Sequence, residues 1–193
     1  IHIDINQKNL IKIENNRNEI LKLSRKVVPF EKGTAFVLSN NKRLKSGIRL
    51  KGDRAIHFDE RKNSSYRIDI RGGEVFDEMR KFSIQKPRIR NYLHEWVFHE
   101  LLGLGGLVKV KYDFYDFYLN GKNLGYYSLE ESFGKVMLER NKRRNGPIFS
   151  TFEYVSGYSD INKYEVYNKK YWQKPENIPI VKSAIQKINN FLA

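Results

Sequence analysis

The chain has 193 residues, of which 40% are hydrophobic and 13% aromatic, enough to bury the core of one good-sized domain or of two small lobes. Its formal charge of +14 and its pI near 9.8 indicate an anionic partner: nucleic acid, nucleotide, phosphoprotein or membrane surface. The absence of cysteine excludes a disulfide framework. No apolar run approaches the ~20 residues of a membrane-spanning helix.

The first part of the chain alternates between strand-like and helical patterns. Residues 1–5, Ile-His-Ile-Asp-Ile, place isoleucine at every second position and predict a strand. Helical spacing of apolar residues follows over 7–23. Residues 34–52 predict two strands around a turn at 39–42, and the alternation over 64–70 predicts a third, with Ile68 on one face and Arg67 on the other.

A short strand at 81–85 precedes a stretch that predicts a helix over 87–102. Pro87 suits the first turn of a helix, where its missing N–H is not needed. The spacing predicts an apolar stripe that faces the core, formed by Ile89, Leu93, Trp96, Val97 and Leu101. Glu100 lies on this stripe and Glu95 lies beside it.

Two histidines in this helix resemble the zinc-binding pattern H-E-x-x-H, in which the ligands are four residues apart. Here His94 and His99 are five residues apart. At about 100° per residue they point ~140° apart around the helix axis, so they cannot share a metal ion. We therefore predict no metal site in this chain.

The remaining sequence predicts a long hairpin and a helical end. Residues 107–131 alternate as two strands around the turn Asn120-Gly121, with a bulge near Tyr115-Asp116. A short helix, a basic run at 139–147, a strand and a polar region follow. The last predicted element is a helix over 175–193.

This order predicts an α+β fold with a mainly antiparallel sheet, one inserted packing helix and a helical C-terminal end. We expect three parts: an N-terminal strand and helix over 1–30, a β-rich lobe over 31–140 with helix 87–102 and the hairpin, and a basic linker over 141–193 that begins a C-terminal lobe.

Three segments resemble the spore-coat protein H (CotH) kinase family, atypical bacterial kinases with a protein-kinase-like fold. The family pattern joins a glycine-containing loop, a strand of the form Lys-Ser-Tyr-Lys-Ile, a helix that begins Arg-x-x-Leu, and an Asn-Gly hairpin. The resemblance covers roughly residues 45–150. Its matching positions are Gly52; Ser65-Tyr66-Arg67-Ile68; Arg90, Leu93 and Val97-Phe98; and Leu119, Asn120-Gly121, Gly125, Tyr127, Leu129 and Glu131.

The resemblance implies a kinase-like N-terminal lobe and hinge that bind ATP. Gly52 would lie in the loop over the phosphates, and Arg67 would replace the lysine that pairs with them. This replacement is a departure, because guanidinium and ammonium bind phosphate with different geometry. Glu100 would hold this cation, with Glu95 as second choice. Leu129 and Glu131 would belong to the hinge that meets the adenine.

The same resemblance places the catalytic residues and the Mg²⁺ ligands beyond residue 193, so none is expected in this chain. We therefore expect the N-terminal portion of a longer kinase, inactive alone, that transfers phosphate to Ser or Thr hydroxyls of a protein. Bacterial kinases of this family suggest the cell envelope or surface as the location.

Two alternatives remain open. The chain could be a basic, aromatic-rich module that binds nucleic acid or an anionic surface, at least weakly. In that reading, tyrosines on adjacent strands would stack on bases, and nearby lysines would contact the phosphates. The tyrosines are Tyr112, Tyr115, Tyr118, Tyr126 and Tyr127, and the lysines are Lys109, Lys111 and Lys122. The chain could also be a catalytically dead kinase-like scaffold, for which Arg67 in place of lysine would be a natural sign.

Overall fold

The computed structural model describes residues 1–23, 28–39, 41–52, 54–58, 64–153 and 159–192. The chain divides into two compact units, Ile1–Ser132 and Phe133–Ala193. The first unit is a β-barrel with two helices, and the second is a small α/β unit.

The first unit contains seven strands and two α-helices. Their bounds are β1 His2–Ile5, α1 Gln7–Leu23, β2 Lys32–Ser39, β3 Lys42–Leu50, β4 Tyr66–Ile70, β5 Lys81–Gln85, α2 His94–Leu104, β6 Tyr112–Leu119 and β7 Lys122–Glu131. Short 3-10 turns lie at Ala55–His57 and Pro87–Arg90. The register of β6 against β7 shifts between Asp116 and Tyr118, which confirms the predicted bulge.

The strands form a closed barrel in the order β1-β2-β3-β4-β5-β7-β6. All neighbours are antiparallel except β1 and β6, whose parallel pairing closes the barrel. The N-terminal ammonium of Ile1 donates to the carbonyl of Asp116 at 2.6 Å, and the Ile5 amide donates to Asn120 Oδ1 at 2.7 Å.

This closure corrects the predicted fold class. The prediction of an α+β fold built as a protein-kinase-like N-terminal lobe and hinge around a mainly antiparallel sheet is wrong in its kinase-like architecture. The fold is a barrel-like α+β fold with a closed, mixed seven-stranded sheet. The physical reason is the position of β1, which pairs with β2 on one side and with β6 on the other, so that no edge remains between them.

Alternating apolar residues of the strands fill the barrel interior. Ile3, Val37, Ile68, Ile84 and Leu129 are all fully buried there. Helix α1 adds Ile13 and Ile20 to the same core. Many of their outward neighbours are polar, such as Arg67 and Asp69 beside Ile68, because side chains alternate between the two faces of a strand.

The inserted helix is shorter than predicted and faces the other way. The expected helix over 87–102 is divided into the turn Pro87–Arg90 and the helix α2, because Asn91 and Tyr92 have positive φ values of 51° and 59°. Four of the five residues of the predicted inward stripe, Leu93, Trp96, Val97 and Leu101, are exposed, and Ile89 is half-buried. His99 is the buried residue of the helix.

The second unit contains three helices and a two-stranded sheet. Their bounds are α3 Lys135–Arg140, β8 Phe149–Glu153, β9 Ser159–Val166, α4 Lys169–Trp172 and α5 Ile178–Leu192, with a 3-10 turn at Pro175–Asn177 before α5. Strands β8 and β9 are antiparallel. In the described ranges of both units, no helix has the length and apolarity that a membrane span requires.

Candidate functional site

A row of polar side chains crosses the outer face of the barrel beside α2. Arg67 of β4 is in register with Ser83 of β5, Ser83 with Glu130 of β7, and Glu130 with Tyr112 of β6. Helix α2 packs on β6, where the His99 ring lies 6.0 Å from the Tyr112 ring. The row is therefore largely withdrawn from solvent although it lies outside the barrel core.

Glu130 is the centre of this region. Its Oε2 accepts from Lys51 Nζ at 2.6 Å and from Gln85 Nε2 at 3.1 Å. Its Oε1 lies 3.8 Å from Arg90 Nη2. Gln85 also accepts from Lys51 at 3.3 Å. We call these four residues together with Arg67 the Lys51–Glu130 cluster.

The cations of the cluster keep Glu130 ionised. Burial alone would raise the pKa of this carboxyl, but the charge and hydrogen bond of Lys51, followed by the charges of Arg90 and Arg67, bring it below its usual value. Burial lowers the pKa of Lys51, Glu130 acts to raise it, and the two arginines lower it further. The arginines therefore stabilise the carboxylate and repel the ammonium.

Positive charge exceeds negative charge in the cluster. Among the residues that the structure describes, Lys51, Arg67 and Arg90 act electrostatically on the carboxylate of Glu130, so the cluster holds three cations and one carboxylate. Arg67 Nε is buried and has no hydrogen-bond partner within the described part of the chain. The Arg90 side chain is 42% exposed, whereas that of Lys51 is 11% exposed, so the cluster opens to solvent at Arg90. Such a site can bind an anion with several oxygens.

Gly52 follows Lys51 directly and has a φ of +111°. A Cβ at this position would lie 2.1 Å from the His57 ring. The glycine therefore allows His57 to pack against the backbone beside Lys51.

Glu100 of helix α2 pairs with a cation other than Arg67. Glu100 Oε1 accepts from Lys109 Nζ at 2.8 Å, and the carboxylate is almost half exposed. The second candidate, Glu95, faces His99 with its Oε1 3.7 Å from Nε2. In the structure Glu130 takes the position beside the cations that the resemblance implied for Glu100.

The two expected hinge residues lie elsewhere in β7. Leu129 is fully buried in the barrel core, packed with the inward residues of neighbouring strands. Glu131 is also buried, and its Oε2 accepts from the backbone amide of Lys111 at 2.9 Å. Both contacts hold the barrel together, while the residue between them, Glu130, points to the outer face.

Four members of the cluster were not predicted: Lys51, Gln85, Arg90 and Glu130. Alternation along β7 gave one usable signal, because an inward Leu129 requires an outward Glu130. The register needed to bring Lys51 to Glu130, 79 residues away, is not visible in the local pattern.

The tyrosines of the nucleic-acid alternative are dispersed. Tyr127 is buried in the core, Tyr115 donates to Asp77 at 2.7 Å, and Tyr118 stacks on His2 with 4.2 Å between ring centroids. Tyr112 is buried beside His99, and Tyr126 is exposed. These rings do not form one stacking platform.

Within the ranges that the structure describes, no three His, Asp or Glu side chains are grouped as a metal ion would require. The Mg²⁺ ligands implied by the resemblance were expected beyond residue 193. Comparison of the chain with protein-family models and with curated proteins gives no match.

Proposed function

We propose that the first unit binds the phosphate groups of a nucleotide, ATP first among them, at the Lys51–Glu130 cluster. The observation that carries the proposal is the excess of cations over carboxylates among the described residues of the cluster: Lys51 and Arg90 lie 2.6 Å and 3.8 Å from the partly buried Glu130 carboxylate, and Arg67 adds a third positive charge. Partly buried positive charge is costly unless an anion compensates it. A phosphate group would supply both the charge and acceptors for the arginines.

The residues suit complementary roles in phosphate binding. Arg90 is the most exposed cation of the cluster and would meet the ligand first. Arg67 offers guanidinium donors, one of which has no hydrogen-bond partner among the described residues. Lys51, held in place by hydrogen bonds to Glu130 and Gln85, would contribute a point charge from the more buried side of the cluster. A guanidinium can hold two phosphate oxygens at once, which an ammonium cannot.

Phosphoryl transfer to Ser or Thr hydroxyls of a protein, in a longer polypeptide that supplies the catalytic residues and Mg²⁺ ligands, remains part of the proposal. It is supported by the resemblance to CotH kinases and by the cluster, and it does not depend on a kinase-like fold. A scaffold that binds ATP without transfer would share the cluster and would lack those additional residues.

The test is calorimetric titration of ATP into the chain at ~0.15 M salt, where loose electrostatic binding is screened. Arg67→Ala and Arg90→Ala should each weaken binding at least tenfold, since a charged hydrogen bond contributes about 1.5–3 kcal/mol. Arg43→Ala is the matched control: it removes the same charge from an exposed pair with Asp4 and should leave affinity unchanged.

Three further ligands distinguish the possible results. Tripolyphosphate that competes with ATP supports a phosphate site, whereas adenosine should not compete. Tight binding of a single-stranded oligonucleotide without ATP binding would favour the nucleic-acid alternative. Equal weakening by Arg43→Ala and Arg90→Ala, or no saturable ATP binding, would contradict the proposal.

A further inference from the structure

Helix α2 presents an apolar surface to solvent. We call it the α2 face; its residues are Leu93, Trp96, Val97, Phe98, Leu101 and Leu104. Their side chains are between 37% and 85% exposed. Leu107 and Val108, just after the helix, are exposed beside them. Scattered apolar residues are normal on a surface, but a contiguous group of this size marks an interaction site.

The spacing of the α2 face is that of a helix that packs on another helix. Leu93, Val97, Leu101 and Leu104 recur every three or four residues and lie on one side of α2. The opposite side carries His99, which is buried and stacks on Tyr112 of the barrel. One side of α2 is thus attached to the barrel, and the other is an unpaired packing stripe.

The size of this surface matches a specific interface. At about 150–250 Å² for a large apolar side chain, the exposed fractions of the six residues of the α2 face amount to roughly 500–850 Å². That is about the area that each partner buries in an interface of standard size. A smaller apolar ligand would leave most of the surface in water.

The charges of α2 favour a protein partner over an anionic surface. The helix contains no lysine or arginine, although the chain carries a net charge of +14. Glu100, which lies within the stripe, pairs with Lys109 of the same molecule at 2.8 Å, so the face presents no uncompensated carboxylate there. An anionic membrane would meet apolar residues and the neutral Glu100–Lys109 pair, without an unpaired cation on the helix.

We propose that the α2 face binds the α2 face of a second copy of this chain, as a two-fold symmetric helix pair. An apolar stripe is complementary to itself, and two-fold dimers with the same patch on both subunits are the commonest oligomers. The interface lies on the side of α2 away from the Lys51–Glu130 cluster. It does not depend on the proposed nucleotide binding.

Sedimentation equilibrium at micromolar concentrations tests this proposal. The wild-type chain should have about twice its monomer mass of 22.9 kDa. Leu101→Glu should weaken the dimer at least a hundredfold. Leu23→Glu is the matched control, since Leu23 is an equally exposed leucine on a different helix, α1, and should leave the dimer intact. Circular dichroism of both variants verifies folding, which is expected because both leucines are exposed.

A second measurement uses Trp96. Its fluorescence should shift to shorter wavelength as concentration rises, in a Trp172→Phe background that removes the other tryptophan. A wild-type monomer at every concentration would overturn the proposal. So would equal loss of the dimer in both leucine variants, or sedimentation of a monomer with phosphatidylserine vesicles through the same face.

Discussion

Gly52 shows how the functional and the structural demands on one residue can be separated. Its φ of +111° lies in a region that residues with a Cβ rarely adopt, and the His57 ring occupies the space where a Cβ would lie. His57 Nδ1 is held 3.0 Å from Ser65 Oγ, which limits movement of the ring. Packing therefore explains the glycine even without a phosphate nearby.

Gly52→Ala should lower the free energy of unfolding by more than 2 kcal/mol, about 1 kcal/mol from backbone strain and the rest from overlap with the ring. Gly72→Ala is the control. Its φ is +76° and nothing lies within 4 Å of the added Cβ, so only the strain of about 1 kcal/mol should appear. Urea unfolding measures both values. Equal costs would mean that His57 moves aside.

At the residue scale, the sequence predicts which face of a strand a side chain occupies, but not which distant residue it contacts. Alternation over 64–70 places Arg67 on the polar face of its strand, and the structure has it on the outer face of the barrel. Lys51, which follows β3, and Glu130 of β7 meet only because the three pairings β3-β4, β4-β5 and β5-β7 hold a fixed register. No local pattern encodes that register, so neither the ion pair nor its surplus charge was predicted.

At the scale of elements, α2 was predicted with its faces reversed. The rule that an apolar stripe faces the core holds for a helix on an apolar sheet surface. Here the outer face of the barrel offers Glu130, Gln85 and Tyr112, so the side of α2 that carries Glu95 and His99 packs on it. The apolar residues of α2 therefore face solvent, and the composition of the helix alone cannot predict this orientation.

The contact of α2 with the barrel should depend on pH through His99. Burial lowers the pKa of this imidazole below 6.5, although Glu95, Glu130 and Glu100 act to raise it and Lys109 to lower it. The unfolded chain therefore binds a proton near pH 6.5 that the folded chain does not. The free energy of unfolding should rise with pH from the lowered pKa up to about 6.5.

His99→Phe should remove this rise, because the neutral ring keeps the contact with Tyr112 but cannot bind a proton. His94→Phe, at the exposed start of the same helix, should leave the rise in place. Urea unfolding at a series of pH values between 4 and 8 measures how the free energy of unfolding depends on pH. Glu130, whose pKa is lowered in the folded chain, should reduce this free energy further only below about pH 4.5. A slope that survives in His99→Phe would assign it to another group.

For the molecule as a whole, closure of the barrel joins parts of the chain that are far apart in sequence. Each strand of the first unit was visible in the alternation of apolar residues, and so was the Asn120-Gly121 turn. The parallel pairing of β1 with β6 was not, because period-two alternation identifies a strand without its partner. This one pairing closes the sheet into a barrel.

Asn120 links the Asn120-Gly121 turn to β1, the strand that closes the barrel. Its Oδ1 accepts from the Ile5 amide at 2.7 Å and its Nδ2 donates to the Ile5 carbonyl at 2.9 Å, across 115 residues of chain. The side chain thereby continues the pairing of β1 with β6 beyond the end of β6. Its φ of 49° is one that asparagine and aspartate tolerate well.

Asn120→Asp should therefore leave the turn intact and weaken only the closure. An aspartate still accepts from the Ile5 amide but cannot donate to the Ile5 carbonyl, and it brings a negative charge to that oxygen, at a cost of about 1–3 kcal/mol. Asn123→Asp is the matched control on the same hairpin. Asn123 accepts from the Gly125 amide through its Oδ1, which an aspartate keeps, so this change should alter the free energy of unfolding by less than ~0.5 kcal/mol. Unfolding in urea at pH 7 compares the two variants. If they lose the same stability, the pairing of β1 with β6 contributes little to holding the barrel closed, and the neighbouring contacts of Ile3 and Ile5 in the core must do so instead.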